Sequence, residues 1–292
     1  MRRFETVIPL EFEGRTVETV LRRLLGLSPT RIKRTKFLPE GILLDGQRVF
    51  TNHPVRGGQT ITVNLPELEE NCLLPTEGEV KVVYEDSWLL CVDKPAGLAV
   101  HPGPGHYADT LGNRLSWLFE QRGESIVFRP VNRLDIGTSG LMLVAKSAQS
   151  HEALQTILHT DDFRREYLAL TTTSPHTDRG RIDAPIGAVE GELNKYYVTQ
   201  MGKHAVTEYE MVSQKNGLCL LRLALHTGRT HQIRVHMAYL GCPLLGDKVY
   251  GGRACLDRPA LHSHYIRLKH PFSGHWLDLR SPLPEDMRGV LG

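Results

Sequence analysis

The chain has 292 residues, of which 40% are hydrophobic and 23% are charged, and this composition is ordinary for a globular protein with a large core. The formal net charge is only +2, so overall charge does not identify a partner. No apolar run approaches the ~18 residues of a membrane span, and the N-terminus lacks the apolar segment of a signal peptide. We therefore expect a cytoplasmic protein with one large and one small domain.

The cysteines indicate reduced thiols rather than disulfides or a zinc site. They are odd in number, widely scattered and form no CxxC pair. The histidines also lack the spacing of a metal cluster, so we predict no metal. The five cysteines are Cys72, Cys91, Cys219, Cys242 and Cys255.

Positive charge is concentrated at the front of the chain, where residues 1–65 contain eleven Lys/Arg and six Asp/Glu. Thr16 is placed to cap a first helix that Gly26 ends, and a second helix is predicted to begin at Ser28. No acid occurs from residue 19 to residue 39. This second helix is expected either to contact RNA phosphates or to be an ordinary solvated face. Its basic residues are Arg31, Lys33, Arg34 and Lys36.

The front segment resembles the small RNA-binding module named after ribosomal small-subunit protein four. The resemblance is carried by LRRLLGLSPTRIKR, by the turn LLDGQRV and by the ending VRGGQTITV. It implies a small, helix-rich RNA-binding domain over residues 1–65. The acidic, proline-containing segment 66–79 then reads as a linker, and residues 80–292 form the second domain.

The most informative segment of the second domain is RPVNRLDIGTSGLMLVAKS, residues 129–147. Arg133 and Asp135 stand just before a turn rich in Gly, Thr and Ser, which leads into an apolar strand. Catalytic groups are commonly mounted on such a loop above a rigid strand, where an aspartate can act as nucleophile, base or metal ligand. The alternative is a hydrogen-bonded turn without chemistry.

A second informative segment is HTGRTHQIRVHMAYLG, residues 226–241. The apolar spacing predicts a short helix that begins after Thr230 as its N-cap and stops at Gly241. The start of this helix, preceded by Arg229, suits an anion such as a phosphate. Its first turns offer His231, Gln232 and Arg234.

Together, six segments resemble the RluA/RluD-type RNA pseudouridine synthases. They occur in the family's order and span nearly all of residues 80–255. They are VDKPAGLAVHP, RLDIGTSGLMLVAK, REYLAL, AVTEYE, HTGRTHQIRVHMAYLG and PLLGDKVYG. The resemblance implies an α+β fold, with a catalytic domain built on a large, mostly antiparallel sheet and a cleft across that sheet.

The resemblance also implies roles for particular residues. Asp135 is expected to be the essential aspartate, Tyr167 the active-site tyrosine and Arg234 the basic residue paired with the aspartate. The expected RNA contacts are Arg133, Asn132, Arg229, His231 and Gln232. At Asn132 the family usually has a histidine. The expected substrate is large-subunit ribosomal RNA, with transfer RNA as the alternative.

The chemistry explains these residue types. The N1–C1′ bond must break, C5 must join C1′ and the C5 proton must leave, so the product is an isomer and no cofactor is expected. Asp135 must be ionised, which a guanidinium would favour. Whether it attacks C1′, adds to the ring or takes the C2′ proton stays open, as does whether Tyr167 packs on the uracil or accepts the C5 proton. The alternative function is a catalytically silent RNA-binding or ribosome-assembly factor.

Overall fold

The computed structural model describes residues 2–27, 29, 32, 35–65 and 73–292. The chain forms two compact units, Met1–Glu70 and Asn71–Gly292. Residues 66–72 of the predicted linker lie outside the described residues, as do three of the predicted RNA contacts, Arg31, Lys33 and Arg34. Of the helices that the structure describes, none is long and apolar enough to cross a membrane.

The small unit contains more strand than the sequence suggested. Its strands are β1 (Arg2–Val7), β2 (Ile42–Leu44), β3 (Gln47–Arg48) and β4 (Thr60–Leu65). They form an antiparallel sheet in the order β1-β4-β2-β3. Strand β1 was not predicted. With it, most of the regular structure in the described part of this unit is strand, so the term helix-rich does not fit.

The predicted first helix and hairpin turn of the small unit agree with the structure, whereas the predicted start of the second helix, Ser28, lies outside the described residues. Helix α1 spans Val17–Arg23, and Thr16 caps it by accepting a hydrogen bond from the Thr19 amide. Asp45 and Gly46 have φ angles of 49° and 79°, which is the positive pair that a two-residue hairpin requires. The short-range signals of caps and turns were therefore sufficient here.

The large unit contains one extended sheet with helices packed against it. Its helices are α2 (Leu111–Gln121), α3 (Ala148–Ile157), α4 (Gln232–Tyr239) and α5 (Glu285–Leu291). Its strands are β5 (Lys81–Glu85), β6 (Leu89–Lys94), β7 (Arg129–Pro130), β8 (Ser139–Ala145), β9 (Phe163–Thr171), β10 (Arg179–Asp183), β11 (Ile186–Ala188), β12 (Tyr196–Val198), β13 (Val206–Lys215), β14 (Leu218–Leu225), β15 (Leu261–Lys269) and β16 (Trp276–Arg280).

The main sheet has ten strands and is mostly antiparallel, as predicted. Eight strands follow the order β10-β13-β14-β9-β15-β8-β6-β5, while β16 pairs with β15 and β7 pairs with β8. Strands β8 and β15 are parallel, and the N-terminal ends of both strands therefore meet at the middle of the sheet. Strands β11 and β12 form a separate hairpin.

Strand β8 is buried on both faces, and this explains its unbroken apolar sequence. Met142 and Val144 pack in the core cluster that contains α2, whereas Leu141 and Leu143 pack in the cluster that contains Leu154 of α3. Both helices begin at hydroxyl caps, Thr110 and Ser147. The turn that carries Asp135 is thus joined to the most constrained strand of the sheet.

Gly140 allows β8 and β15 to approach each other closely. Its φ is +110°, and an added Cβ would lie 2.2 Å from the carbonyl oxygen of Ser263. A residue with a side chain would have to push β15 away. The glycine in the motif DIGTSG is therefore required for the strand pairing that brings the Asp135 turn next to β15.

Candidate active site

Asp135 lies in the turn between β7 and β8 and lines a cleft of about 950 Å³. The turn is closed through the backbone, because the Thr138 amide donates to the Asp135 carbonyl at 3.0 Å. The side chain is 23% exposed and faces the cleft. The backbone of Asp135 therefore closes the turn, while its carboxylate remains available for chemistry.

Lys94, at the end of β6, forms a hydrogen bond to this turn. Its side chain is fully buried, and its ammonium group donates to the carbonyl oxygens of Pro95, Leu98 and Ile136 at 2.9, 2.8 and 3.3 Å. Burial lowers the pKa of Lys94 to about 7, against the opposing effect of the Asp135 charge. The residue ties the loop after β6 to the residue that follows Asp135.

We expect Lys94→Met to destabilise the full chain by about 2 kcal/mol at pH 7, because the Leu98 carbonyl and two part-buried carbonyls lose their donor. The unfolded chain keeps the lysine proton to about pH 10, whereas the folded chain releases it near pH 7. The parent's advantage should therefore increase from pH 7 to pH 9. Urea unfolding at both pH values measures this, with Lys81→Met, at a 60% exposed lysine, as the control. An unchanged or narrowing difference would contradict the assignment.

Arg234 lies on α4 and makes its tightest contact with Asp247, not with Asp135. Its Nε and Nη2 atoms donate to the two carboxylate oxygens of Asp247 at 2.7 and 2.8 Å, and Asp247 is fully buried. Nη1 lies 3.7 Å from Oδ2 of Asp135. The predicted pairing of Arg234 with Asp135 is therefore present only as this longer contact, and the two-point contact belongs to Asp247.

Asp247 is held in place by the chain on both sides of it. Its Oδ1 accepts backbone hydrogen bonds from Val249 and Tyr250 at 3.2 and 3.4 Å. The preceding residue, Gly246, has a φ of +76°, and a Cβ there would lie 2.1 Å from the carbonyl oxygen of Arg258. The glycine and the aspartate of the motif LLGD are thus both needed to present this carboxylate to Arg234.

Tyr167 lies on β9 opposite Ser263 and lines the same cleft, although only 3% of it is exposed. Ser263 uses its own hydroxyl proton for the Leu141 carbonyl, to which it donates at 3.0 Å. Burial raises the pKa of Tyr167. A role as a base would need a lowered pKa, and burial has the opposite effect.

His231 is also brought to Asp135. Its Nε2 atom lies 3.8 Å from Oδ2 of Asp135, and its Nδ1 atom lies 2.9 Å from the hydroxyl of Tyr250. It is the N-cap residue of α4, where Thr230 was predicted, and it provides no side-chain cap. The helix thus starts one residue later than the sequence pattern suggested.

Two predicted RNA contacts are internal to the protein. Gln232 is 3% exposed; its oxygen accepts from Thr227 and from the Arg229 amide, and its nitrogen donates to Val206 and Thr207. All of its hydrogen-bonding capacity is thus used to hold the loop before α4 on β13. The prediction that Gln232 contacts RNA is not supported by this geometry.

Asn132 is likewise buried, although it borders the cleft. Its Oδ1 accepts a hydrogen bond from the Leu143 amide at 2.8 Å, and its buried Nδ2 has no partner among the described residues. It supports β8 next to the Asp135 turn. Because the amide nitrogen is inaccessible, the predicted RNA contact does not fit this geometry either.

The exposed rim of the cleft is cationic. Arg133 and Arg229 are exposed, and the Nε of Arg229 donates to the His204 carbonyl at 2.9 Å, which leaves the rest of its guanidinium at the surface. Arg165 also lines the cleft. Among the described residues that line the cleft, Asp135 is the one carboxylate. Elsewhere in the described part of the chain, no group of three His, Cys, Asp or Glu could hold a metal ion.

Comparison with known proteins agrees with the site. Residues 88–239, a little over half of the chain, match the family described as RNA pseudouridylate synthase. A Bacillus subtilis (strain 168) protein described as uncharacterized RNA pseudouridine synthase YlyB is 39% identical, over 86% of this chain and 84% of its own. The ribosomal large subunit pseudouridine synthase D of Vibrio cholerae is 36% identical, over 97% and 92% of the two chains.

A solved structure shares the fold. Human RNA Pseudouridylate Synthase Domain Containing 1 is 25% identical, with a TM-score of 0.58 over 70% of this chain and 83% of that one. The fold and the cleft are those of an RNA-modifying isomerase. The chain belongs to the RNA pseudouridylate synthase family and converts uridine to pseudouridine in RNA.

Proposed function

We propose that the chain isomerises uridines of large-subunit ribosomal RNA, with Asp135 as the reacting carboxylate. The observation that carries the assignment is the position of Asp135, the one carboxylate among the described residues of an arginine-lined cleft. Attack on C1′, addition to the ring and removal of the C2′ proton all require an ionised aspartate, so the assignment does not depend on which route is followed.

Arg234 contacts both Asp247 and Asp135, and the geometry of the two contacts supports this role. A guanidinium bound to Asp135 at two points would occupy oxygens that must react. Because Asp247 takes the two short contacts, Arg234 presents only Nη1 to Asp135, at 3.7 Å. The carboxylate keeps a cation nearby and remains free to act as a nucleophile.

Tyr167 is proposed to supply an apolar surface for the uracil ring. Burial raises its pKa and so keeps the phenol neutral. Arg133 and Arg229 are proposed to bind phosphates that flank the extruded nucleotide, since they are the exposed cations of the rim. Extruding a base requires a few kcal/mol, which such contacts offset.

The ribosomal substrate is supported by the similarity to the Vibrio cholerae protein, which extends over 97% of this chain. The test is carbodiimide mapping of pseudouridines in ribosomal and transfer RNA from a deletion strain, before and after incubation with the purified protein. Naked RNA, partly assembled large subunits and intact ones should all be supplied. New reverse-transcription stops in large-subunit RNA are expected. Stops only in transfer RNA would overturn the substrate assignment, and no stops at all would favour the silent assembly factor.

We further propose that the basic segment of the small unit contacts RNA phosphates. Of the four predicted residues, Lys36 lies within the described chain and is half-buried beside the exposed Phe37, while Arg31, Lys33 and Arg34 lie outside it. Removing one cation that binds a phosphate should reduce the slope of log affinity against log salt by about 0.7 to 0.9.

The prediction is tested by Arg31→Gln combined with Lys36→Gln, which should lower the salt slope by about 1.5. The control is Arg48→Gln combined with Arg56→Gln, which removes the same charge from exposed positions of the same unit. Filter binding of a ribosomal RNA fragment over a salt series measures both. Equal slopes for the two variants would indicate that the basic segment has no special role.

A further inference from the structure

One oxygen of Asp135 faces two nitrogen donors from the beginning of α4. Oδ2 lies 3.7 Å from Nη1 of Arg234 and 3.8 Å from Nε2 of His231. The roles proposed above use the arginine and leave the histidine without a function in the reaction. Its side chain is 13% exposed and lines the cleft.

The imidazole of His231 is held from two sides. Its Nδ1 atom lies 2.9 Å from the hydroxyl oxygen of Tyr250. The rings of Tyr196 and Tyr250 both meet it edge-on, with centroids 5.6 and 5.8 Å away. The ring therefore has a defined orientation, with Nε2 directed into the cleft.

The hydrogen-bond network favours one nitrogen of the ring as the carrier of the proton. The Tyr250 hydroxyl oxygen accepts a bond from the Tyr196 amide at 3.1 Å, so its own proton is available for Nδ1 of His231. With Nδ1 as acceptor, the proton of the neutral ring is on Nε2 and points at Asp135. Burial lowers the pKa of His231, while Asp135 raises it and Arg234 lowers it further, so the ring is neutral at neutral pH.

The backbone of His231 has a conformation that few residues other than glycine adopt. Its φ is +54° and its ψ is 20°, the left-handed conformation. The other residues with positive φ in the described chain, glycines aside, are Asp45, Asn194 and Asn216, whose side chains tolerate this conformation best. Asparagine visits this conformation routinely, so it is a substitution at position 231 that the backbone tolerates.

We propose that His231 is a positioning residue: its Nε2–H group and Nη1 of Arg234 together hold Oδ2 of Asp135, so that Oδ1 is the oxygen that reacts. This inference rests on the proposed role of Asp135 as the reacting carboxylate. Distances of 3.7 and 3.8 Å are too long for hydrogen bonds. Such contacts commonly shorten when substrate binds, and a small movement of the Asp135 turn is sufficient here.

The test compares His231→Asn with His231→Gln in the full-length protein. The amide of glutamine reaches the position of Nε2 and can donate to Asp135, whereas the shorter amide of asparagine reaches only the position of Nδ1. Asparagine is the better residue for the left-handed backbone. A purely structural role therefore predicts that the asparagine variant is the more active, and the positioning role predicts the reverse.

Single-turnover pseudouridine formation at saturating RNA should fall about 100-fold in His231→Asn, since misplacement of a reacting group by about 1 Å has effects of this size. His231→Gln should recover at least about tenfold of this loss. RNA affinity should stay within about threefold of the parent in both variants, because the proposed phosphate contacts of Arg133 and Arg229 are retained. An asparagine variant as active as the glutamine variant, or more so, would overturn the proposal.

A spectroscopic measurement tests the proton position directly. In the parent labelled with ¹⁵N-histidine, the signals that disappear in His231→Asn identify His231 among the 14 histidines of the chain. Those signals should report a protonated Nε2 and a bare Nδ1, and Tyr250→Phe should disturb them. A protonated Nδ1 at neutral pH would overturn the assignment.

The outcome is separable from that of the proposed function. An inactive parent, or an active Asp135→Asn variant, would contradict the role of Asp135 itself. An active parent, an inactive Asp135→Asn variant and a fully active His231→Asn variant would contradict only the positioning role.

Discussion

Asp135→Asn is expected to reduce pseudouridine formation on the order of 10³-fold or more, while RNA affinity stays within about threefold of the parent. The substitution removes the charge but retains nearly the same volume. The turn itself does not need the carboxylate, because it is closed by the Asp135 carbonyl and the Thr138 amide. Single-turnover kinetics and filter binding on the same preparation measure the two quantities.

The matched control for this substitution is Asp178→Asn, at an exposed aspartate just before β10. It removes the same charge from the same unit, and turnover should equal that of the parent. Circular dichroism and the thermal midpoint should agree for all three proteins. Turnover of Asp135→Asn within tenfold of the parent would contradict the assignment of Asp135 as the reacting carboxylate.

Much of the fold follows from short-range patterns in the sequence. Thr16 caps helix α1 as predicted, and Thr110 and Ser147 begin α2 and α3 in the same way. The apolar run after Gly140 is a strand buried on both faces. These features depend on interactions within a few residues, which a sequence displays directly. Strand β1 was missed because its residues, RRFETV, are mainly polar and their pairing partner lies about sixty residues away in β4.

The site was predictable only in part. Asp135, Tyr167 and Arg234 line one cleft, as the motifs implied. The buried partners were not found, because Asp247 lies thirteen residues from Arg234 and Lys94 lies 42 residues from Ile136. One signal in the sequence could have identified them. Asp247 directly follows the apolar run in PLLGD, and Lys94 ends the mainly apolar segment LLCVDK. A charged residue that is buried with such a segment must have a partner.

Side-chain identity alone does not show which groups a polar residue contacts. Asn132 and Gln232 are polar neighbours of functional residues, and the sequence does not reveal which way they point. Both turn inward and bind backbone groups, Asn132 to Leu143 and Gln232 to Arg229 and Val206. Polar residues next to a reacting group can therefore stabilise the loop that carries it, and only the tertiary structure distinguishes this role from RNA contact.

The buried pair of Arg234 and Asp247 gives the second large effect. Arg234→Met should destabilise the protein by about 3–5 kcal/mol, because the fully buried Asp247 carboxylate loses both short hydrogen bonds from the guanidinium. Pseudouridine formation should fall about 100-fold or more, because Asp135 loses its neighbouring cation. Urea unfolding and single-turnover kinetics measure the two effects separately.

Adding Asp247→Asn to Arg234→Met separates stability from chemistry. The asparagine is uncharged, and its oxygen can still accept from the amides of Val249 and Tyr250. The double variant should therefore regain most of the stability that the single variant lacks, since replacing both charges of a buried pair is often nearly neutral. It should regain no turnover, because Nη1 beside Asp135 is still missing. If turnover returned together with stability, Arg234 would act only through the fold, and the arginine contact to Asp135 would have no part in the reaction.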